Sequence, residues 1–212
     1  CLVGSEMCIR DRFCMNPNGE VVQENYNGIS TVNGHSYAEK TTNNTNFALL
    51  VSEKFTEPFK EPIQYGQHIA RLANMLAGGI LVQRFGDLLD GRRSTPERIK
   101  SSIIKPTLTC ATPGDLSLVI PYRQMTSIIE MLQALDKVCP GTASRYTLLY
   151  GIEVKFYSAR VKLTNNLETE GVKNLFAIGD GAGVTRGLIQ ASASGVHLSL
   201  IHISEPTRHA QI

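Results

Sequence analysis

Apolar residues along the first quarter of the 212-residue chain come in short runs separated by turn signals. The sequence Asn-Pro-Asn-Gly at 16–19 is typical of a tight turn, and residues 20–23 behind it are predicted to form a short strand. Residues 29–32 are predicted to be a hairpin arm that turns at Asn33 and Gly34. The continuous apolar run at 47–51 is bounded by polar residues and predicts a buried strand.

From residue 63 the apolar spacing becomes helical. A first stripe at i, i+3, i+4 and i+7 predicts a helix that ends at Gly78 and Gly79; it consists of Ile69, Leu72, Ala73 and Leu76. A second stripe, stopped by Cys-Pro-Gly at 139–141, consists of Met125, Ile128, Ile129, Leu132 and Leu135. The segment 85–105 between them is predicted to be a polar connection, in which Thr95 caps a short helix that begins with Pro96.

The last third of the chain is rich in β-branched and aromatic residues and predicts short strands at 146–150, 152–157 and 160–163. A compact apolar strand at 175–178 is predicted to run directly into Gly-Asp-Gly-Ala-Gly at 179–183. A helix of small residues is predicted from 184 to 197. Strands that alternate with helices in this way predict an α/β or mixed α+β fold.

Composition excludes several classes of protein. Hydrophobic residues make up 42% of the chain and charged residues 19%, which is enough apolar surface for a buried core. A net charge of +2 indicates neither a nucleic-acid partner nor an acidic one, and no apolar stretch is long enough for a membrane span. The five cysteines show neither a disulfide framework nor a metal-binding spacing, so we expect no metal. The three that lie away from the chain ends, Cys14, Cys110 and Cys139, are scattered, which indicates a reducing, cytoplasmic location.

The two ends of the chain have an unusual relationship. Residues 198–208 and residues 2–11 can be encoded on opposite strands of one short DNA, which resembles a transposase adapter used for sequencing libraries. Selection on a protein does not readily explain such a relationship, and the alternative is a natural amphipathic segment at each end. We therefore expect 1–12 and 198–212 to be adapter-derived and non-native, and the natural chain to run from 13 to 197 as a fragment of a longer protein.

The junction between the last predicted strand and helix carries the candidate chemistry. Gly181 and Gly183 give a Gly-x-Gly pattern, but Arg186 stands where a dinucleotide fingerprint has its third glycine. Asp180 at the tip of a strand would offer acceptors to a ribose or ribityl hydroxyl. A helix that begins near Gly183 or Val184 would direct its N–H groups and positive dipole end toward the same ligand. The alternative is an ordinary glycine-rich turn in which Asp180 caps the helix.

Three stretches carry a family resemblance. Residues 174–183, Asn-Leu-Phe-Ala-Ile-Gly-Asp-Gly-Ala-Gly, resemble the second flavin-contacting motif of flavoproteins with two dinucleotide-binding domains. The runs 150–160 and 175–196 resemble the C-terminal part of the NAD(P)/FAD-dependent dehydrogenases, and residues 13–22 resemble the Phe-Cys-Met-Cys-Pro-Gly-Gly segment of that family. The resemblance implies an FAD-binding set in which Asp180 binds the ribityl chain. The other members would be Gly179, Gly181, Ala182, Gly183, Thr185 and Arg186.

The resemblance also implies a domain organisation. Residues 13–149 would form a cap or substrate region, and 150–197 would return to an FAD/NAD(P)-binding domain of Rossmann-like fold. Asn16 and Asn18 depart from the family pattern, in which Cys and Gly stand at these positions, so a Cys-x-Cys role for Cys14 is not expected. The glycine-rich loop that holds the FAD pyrophosphate would lie upstream. The partner implied is therefore the N-terminal half of the same protein, without which the fragment is expected to be inactive.

The function that follows from the resemblance is an FAD-dependent oxidoreductase that acts on an unidentified small-molecule substrate, with NAD(P)H as electron donor or acceptor. No catalytic acid or base can be assigned. The alternatives are a flavoprotein-fold binding module and an RNA-modifying flavoenzyme, which a cysteine against the flavin would favour. Cys14 is interpreted as a packing residue, and the alternative is a reactive thiol near the flavin. A solvated basic loop is favoured over contact with a nicotinamide phosphate for Arg92, Arg93, Arg98 and Lys100.

Overall fold

The computed structural model of the chain describes residues 9–39, 41–52, 55–154, 160–185 and 187–203, with the backbone alone for 9–13 and 203. The chain divides into two compact units, residues 1–154 and residues 155–212. The predicted functional division into 13–149 and 150–197 stays a prediction.

The first unit begins with two antiparallel strand pairs. Strand β1 (Ile9–Asn16) pairs with β4 (Asn46–Ser52), and an irregularity between Phe13 and Asn16 interrupts their register. Strands β2 (Glu20–Tyr26) and β3 (Ile29–His35) form a hairpin. The predicted turn at 16–19 and the predicted strands at 20–23, 29–32 and 47–51 are confirmed, although β4 is half-buried along its whole length.

The hairpin turn lies at Asn27 and Gly28, and the predicted turn at Asn33 and Gly34 is wrong. Asn27 and Gly28 have φ angles of 49° and 78°, the left-handed conformation that a two-residue hairpin turn requires. Both Asn-Gly pairs fit that requirement locally. The earlier pair forms the turn in a hairpin whose second strand buries Ile29 and Val32, each 5% exposed.

A three-stranded sheet lies at the centre of the first unit. Strand β5 (Leu81–Arg84) lies between β6 (Thr112–Pro113), which is parallel to it, and β7 (Leu148–Gly151), which is antiparallel. The strand predicted at 146–150 is therefore confirmed in part. Strand β5 itself has no sequence prediction, because Gln83 interrupts its apolar run although that side chain is wholly buried.

The two predicted long helices are confirmed. Helix α1 (Pro62–Ala77) ends at Gly78, whose φ of 67° is the left-handed C-cap conformation. Its most buried residues are Ala70 and Ala73, whereas Leu76 at the end of the predicted stripe is 44% exposed. The other long helix (Tyr122–Asp136) ends before the Cys-Pro-Gly sequence at 139–141.

The segment predicted as a polar connection, 85–105, contains two short helices. Helix α2 (Phe85–Leu89) places Phe85 at 1% exposure and Leu88 at 8%, so this part of the prediction is wrong. Helix α3 (Pro96–Lys100) begins as predicted, since Oγ1 of Thr95 accepts a hydrogen bond from the backbone N–H of Arg98 at 3.4 Å. The long helix Tyr122–Asp136 follows in chain order and is α4.

The hydrophobic core of the first unit forms around β5 and α2. Helix α1 contacts β3 and β5, while α4 contacts β4. The burial of these apolar side chains is the main stabilising contribution to this unit. The fully buried members of the core are Ala73, Leu81, Phe85, Leu88, Leu116, Val119, Met125 and Leu132.

The second unit contains helix α5 (Leu188–Ile203) and little extended structure in its described part. The predicted strands at 160–163 and 175–178 are wrong, since these segments make only the isolated bridges Leu163–Thr169 and Glu168–Phe176. No described strand pairs with these segments through a continuous series of backbone hydrogen bonds. Helix α5 begins four residues after the predicted start. The predicted strand at 152–157 is wrong for its described residues 152–154, which follow the end of β7 and form no strand, and its remaining residues lie outside the described ranges.

The fold as a whole is mixed, with small sheets and helices, as the pattern of the sequence predicts. The Rossmann-like assignment stays a prediction, and so does the adapter origin of 1–12 and 198–212. Strand β1 begins inside the first of these segments, and α5 extends into the second. In the ranges that the structure describes, no helix is long and apolar enough to cross a bilayer. Those same ranges hold no group of three metal-ligating side chains.

Candidate functional site

The Gly179–Gly187 loop, which contains the predicted FAD-binding residues, precedes helix α5 in the second unit. Residues Asp180–Ala182 form a 3-10 turn, and the N–H of Gly183 bonds to the carbonyl of Asp180 at 3.0 Å. Gly179 and Gly183 have φ angles of 73° and 67°, in the left-handed region. The loop therefore requires glycine at both ends of the turn for backbone reasons.

The carboxylate of Asp180 is exposed and held in one orientation from within the loop. The hydroxyl of Thr185 donates to its Oδ1 at 2.6 Å, and the N–H of Gly187 donates to the same oxygen at 3.2 Å. Among the described residues, Oδ2 of Asp180 accepts no hydrogen bond. An oriented carboxylate with an available oxygen is an acceptor for a hydroxyl donor.

The loop brings most of the predicted residues together. Thr185 contacts Asp180 directly, Ala182 is buried at 7% exposure, and Gly179, Gly181 and Gly183 supply the backbone around them. Arg186 lies outside the described residues, so its predicted charge at the flavin stays a prediction. Thr185, predicted as a flavin contact, orients the carboxylate in this arrangement.

Sequence reasoning missed Ser194 on helix α5. Its Oγ accepts a hydrogen bond from the N–H of Gly179 at 3.1 Å and donates to the carbonyl of Ala191 at 2.7 Å. The serine therefore fixes the start of the loop to the helix that follows it. Its position in the small-residue run Ala-Ser-Ala-Ser-Gly is the only local signal, and such runs are common at close helix contacts.

The helix prediction needs a correction at the site. Helix α5 begins at Leu188, whereas the sequence predicts a start near Gly183 or Val184. Asp180 therefore does not cap α5 through the Ncap position, and the positive end of the helix dipole lies beyond the loop. The 3-10 turn and the two left-handed glycines account for the displaced start.

Open space adjoins the loop at Gly181. A Cβ built at this residue would meet no atom within 4 Å, so crowding within the second unit does not require glycine there. Apolar residues around the loop are also exposed in this unit: Leu175 by 50%, Leu188 by 88% and Ile189 by 84%. The loop thus presents its backbone and one carboxylate at an apolar surface.

In the first unit, Asn16 replaces the second cysteine of the family segment. It is 9% exposed, and its Nδ2 donates to the carbonyl of Cys14 and to Oδ1 of Asn46, both at 2.9 Å. A Cβ at Gly34 would lie 2.5 Å from that nitrogen, so the packing is tight. Cys14 is exposed, and its interpretation as a packing residue is wrong.

Tyr150 begins the run that resembles the dehydrogenases and lies on β7. Burial raises the pKa of its phenol well above the ordinary value, because the phenolate would be poorly solvated there. The hydroxyl is therefore protonated at physiological pH and can act as a hydrogen-bond donor.

A family model and a relative match this chain. Residues 11–156 match the model of the family described as FAD-dependent protein, C-terminal domain-like. An uncharacterized protein of Clostridium beijerinckii is 32% identical over 199 residues, which cover 88% of this chain and 36% of that protein. The chain thus spans about a third of the length of the relative it matches, and the family match ends before the Gly179–Gly187 loop. Since the family match covers most of the chain, the protein belongs to the FAD-dependent protein C-terminal domain-like family.

Proposed function

We propose that this chain is the C-terminal part of an FAD-dependent oxidoreductase and that Asp180 binds a ribityl hydroxyl of FAD. The observation that carries the proposal is the exposed Asp180 carboxylate, which Thr185 and Gly187 hold in one orientation. Membership of an FAD-dependent family supplies the cofactor class.

The residues of the Gly179–Gly187 loop fit the proposed cofactor. A ribityl chain presents hydroxyl donors, and Oδ2 of Asp180 is an acceptor with no donor from the described residues. The open space beside Gly181 allows a bulky group to approach the backbone. The exposed apolar residues Leu188 and Ile189 offer an apolar surface beside it.

Bound FAD would supply the hydride or electron transfer, and the protein would supply binding and orientation. Asp180 anchors the ribityl chain, Thr185 fixes the rotamer of Asp180, and Ser194 fixes the loop to α5. The pyrophosphate would be held by the upstream part of the longer protein. The first unit would be the cap or substrate region, with NAD(P)H as electron donor or acceptor and a substrate still to be identified.

Substitution of the anchor tests the proposed FAD site in the longer protein that carries this chain. A hydrogen bond to a charged group contributes enough binding free energy that Asp180→Ala should weaken FAD binding about tenfold or more. Equilibrium dialysis with the visible flavin spectrum measures the affinity. Glu170→Ala removes an exposed carboxylate from the same unit and should leave the FAD affinity unchanged. Equal FAD affinity in the two variants would refute the role of Asp180.

The oxidoreductase activity needs its own test. Under anaerobic conditions, NADH or NADPH should bleach the flavin absorbance of the longer protein if the flavin exchanges electrons with a nicotinamide. A protein that retains FAD but is bleached by neither nucleotide would contradict the dehydrogenase assignment and favour a flavoprotein-fold binding module. The absence of any bound flavin would contradict the proposal as a whole.

A further inference from the structure

Arginines gather around the loop between α2 and α3 in the first unit. We call Arg84, Arg92, Arg98 and Arg145 the arginine cluster. Three of them lie close together in sequence, whereas Arg145 comes from the segment before β7. The side chains of Arg92, Arg98 and Arg145 are 48%, 37% and 56% exposed, so the cluster reaches the surface.

A buried carboxylate anchors two members of the arginine cluster. Asp87 is 1% exposed, and its Oδ1 lies 3.0 Å from Nε of Arg92 and 3.8 Å from Nη1 of Arg98. Its Oδ2 accepts a hydrogen bond from the hydroxyl of the buried Ser94 at 2.8 Å. Because Asp87 cannot move into solvent, the two guanidinium groups that pair with it are held near each other.

A second carboxylate joins Arg145 to the arginine cluster. Oδ2 of Asp90 lies 3.0 Å from Nη2 of Arg92 and also pairs with Nη2 of Arg145. The hydrogen bond from Arg145 lowers the pKa of Asp90 below its ordinary value, and the charges of Arg145, Arg92 and Arg98 act in the same direction. The pairing therefore persists throughout the physiological pH range.

The fourth arginine carries a polar atom without a partner. Nε of Arg84 is buried, and no described group accepts a hydrogen bond from it. Its guanidinium lies over the ring of Tyr146, with its central carbon 5.1 Å from the ring centre. This contact places the guanidinium of Arg84 beside Tyr146, which follows Arg145 in the chain.

Donors remain available after these internal contacts. A guanidinium has five N–H groups, and each arginine of the Asp87 and Asp90 pairs uses only some of them. Within the described part of the chain, no contact engages Nη1 of Arg92, Nη2 of Arg98 or Nη1 of Arg145. Residues 84–100 together with Arg145 contain six basic and three acidic residues, an excess of positive charge larger than the +2 of the whole chain.

We propose that the arginine cluster binds the phosphate group of a small molecule, either a phosphate ester or a pyrophosphate. Planar guanidinium groups match the geometry of phosphate oxygens and can bind them with paired hydrogen bonds. The two aspartates hold the guanidinium groups in place before the ligand arrives, which reduces the entropy lost on binding. The four arginines surround one loop instead of forming an extended basic stripe, which favours a small anion over a nucleic acid.

Calorimetric titration of the 212-residue chain with inorganic pyrophosphate at low ionic strength tests the site, and it needs no flavin. Loss of two guanidinium contacts in Arg98→Gln/Arg145→Gln should weaken pyrophosphate binding about tenfold or more. The control Lys60→Gln/Lys137→Gln removes two exposed charges from the same unit. It should change the affinity less than about twofold, since neither lysine pairs with Asp87 or Asp90 and exposed charges outside the site act only through screened fields.

Several outcomes decide against the arginine cluster as a phosphate site. An equal loss in the two double variants, or no binding of pyrophosphate by the unsubstituted chain, would overturn it. If circular dichroism shows that Arg98→Gln/Arg145→Gln is unfolded, Arg145→Gln alone carries the test, because Asp90 keeps its pair with Arg92. Saturable binding of a mixed-sequence RNA through the same arginines, without competition from pyrophosphate, would overturn the small-molecule class in favour of nucleic acid.

Discussion

Three aspartates of this chain have different roles that depend on what surrounds each carboxylate. Asp180 is exposed, and its described hydrogen-bond partners Thr185 and Gly187 lie within its own loop, so its candidate role is visible in the local sequence Gly-Asp-Gly. Asp87 is buried against two arginines and a serine, and nothing in the sequence around it indicates that burial. Asp90 pairs with Arg145, which lies 55 positions away, so only the folded chain reveals the contact.

At the residue scale, the pairing of Asp90 predicts a change in titration. Arg145→Gln removes the group that does most to lower the pKa of Asp90, so that pKa should rise toward its ordinary value. Carboxyl-carbon nuclear magnetic resonance over an acidic titration measures it. Lys137→Gln removes an exposed charge that is not among the groups that lower the pKa of Asp90, so it should leave that pKa unchanged.

The sign of the accompanying stability change follows from the same contact. The folded-state pKa of Asp90 lies below its unfolded value, so its contribution is complete above the unfolded pKa and is lost as the pH falls through the folded pKa. In Arg145→Gln, this acid-dependent part of the unfolding free energy should be smaller. An unchanged acid-unfolding profile would contradict the pairing of Asp90 with Arg145.

At the scale of elements, the helices were more predictable than the strands. The stripes in α1 and α4 repeat over several turns, and the Thr95-Pro96 start of α3 is a local signal. A strand forms only where a neighbouring strand provides its hydrogen-bond partners. The apolar content of residues 175–178 does not reveal whether such a partner exists, so the strand predicted there was wrong. Strand β5 escaped prediction for the converse reason, since a buried glutamine interrupts its pattern.

The end of α1 gives a prediction at this scale. Gly78 has a φ of 67°, and a Cβ there would meet no atom within 4 Å, so an alanine would be disfavoured by its backbone alone. Gly78→Ala should lower the free energy of unfolding by about 1 kcal/mol. Urea denaturation measures the change. Gly79→Ala is the control, because Gly79 lacks a positive φ and its Cβ would come no closer than 3.8 Å to Gln23; an equal cost at both positions would contradict this explanation.

At the scale of the whole molecule, the two units differ in how well they bury their apolar residues. The first unit has a continuous core around β5, and the family match at 11–156 covers most of it. The second unit exposes Leu188, Ile189 and Val196, at 88%, 84% and 60%. The chain spans about a third of the length of the relative it matches.

Shortening a buried side chain in the first unit and an exposed one in the second tests this difference in burial between the units. Leu132 is 1% exposed, so Leu132→Ala should lower the unfolding free energy by about 3 kcal/mol, because it removes buried methyl groups and leaves a cavity. Val196→Ala, at an exposed position of α5, should change it by less than about 0.5 kcal/mol. Chemical denaturation followed by circular dichroism compares the two variants. A similar loss in both would contradict the assignment of the core to the first unit.

The sequence by itself determined the long helices, the β2 and β3 strands, the mixed fold class and the loop where a flavin role can be tested. Each of these features depends on residues a few positions apart in the chain, so hydrophobic periodicity and turn-forming residues were sufficient to predict it. The tertiary structure alone decided which Asn-Gly pair forms the hairpin turn and that β5 is the central strand of its sheet. It also decided that Ser194 accepts a hydrogen bond from Gly179. It further decided that Arg92 and Arg98, two of the basic residues predicted to form a solvated loop, pair with the buried carboxylate of Asp87. These features depend on contacts between residues distant in sequence or on burial, and a local pattern encodes neither.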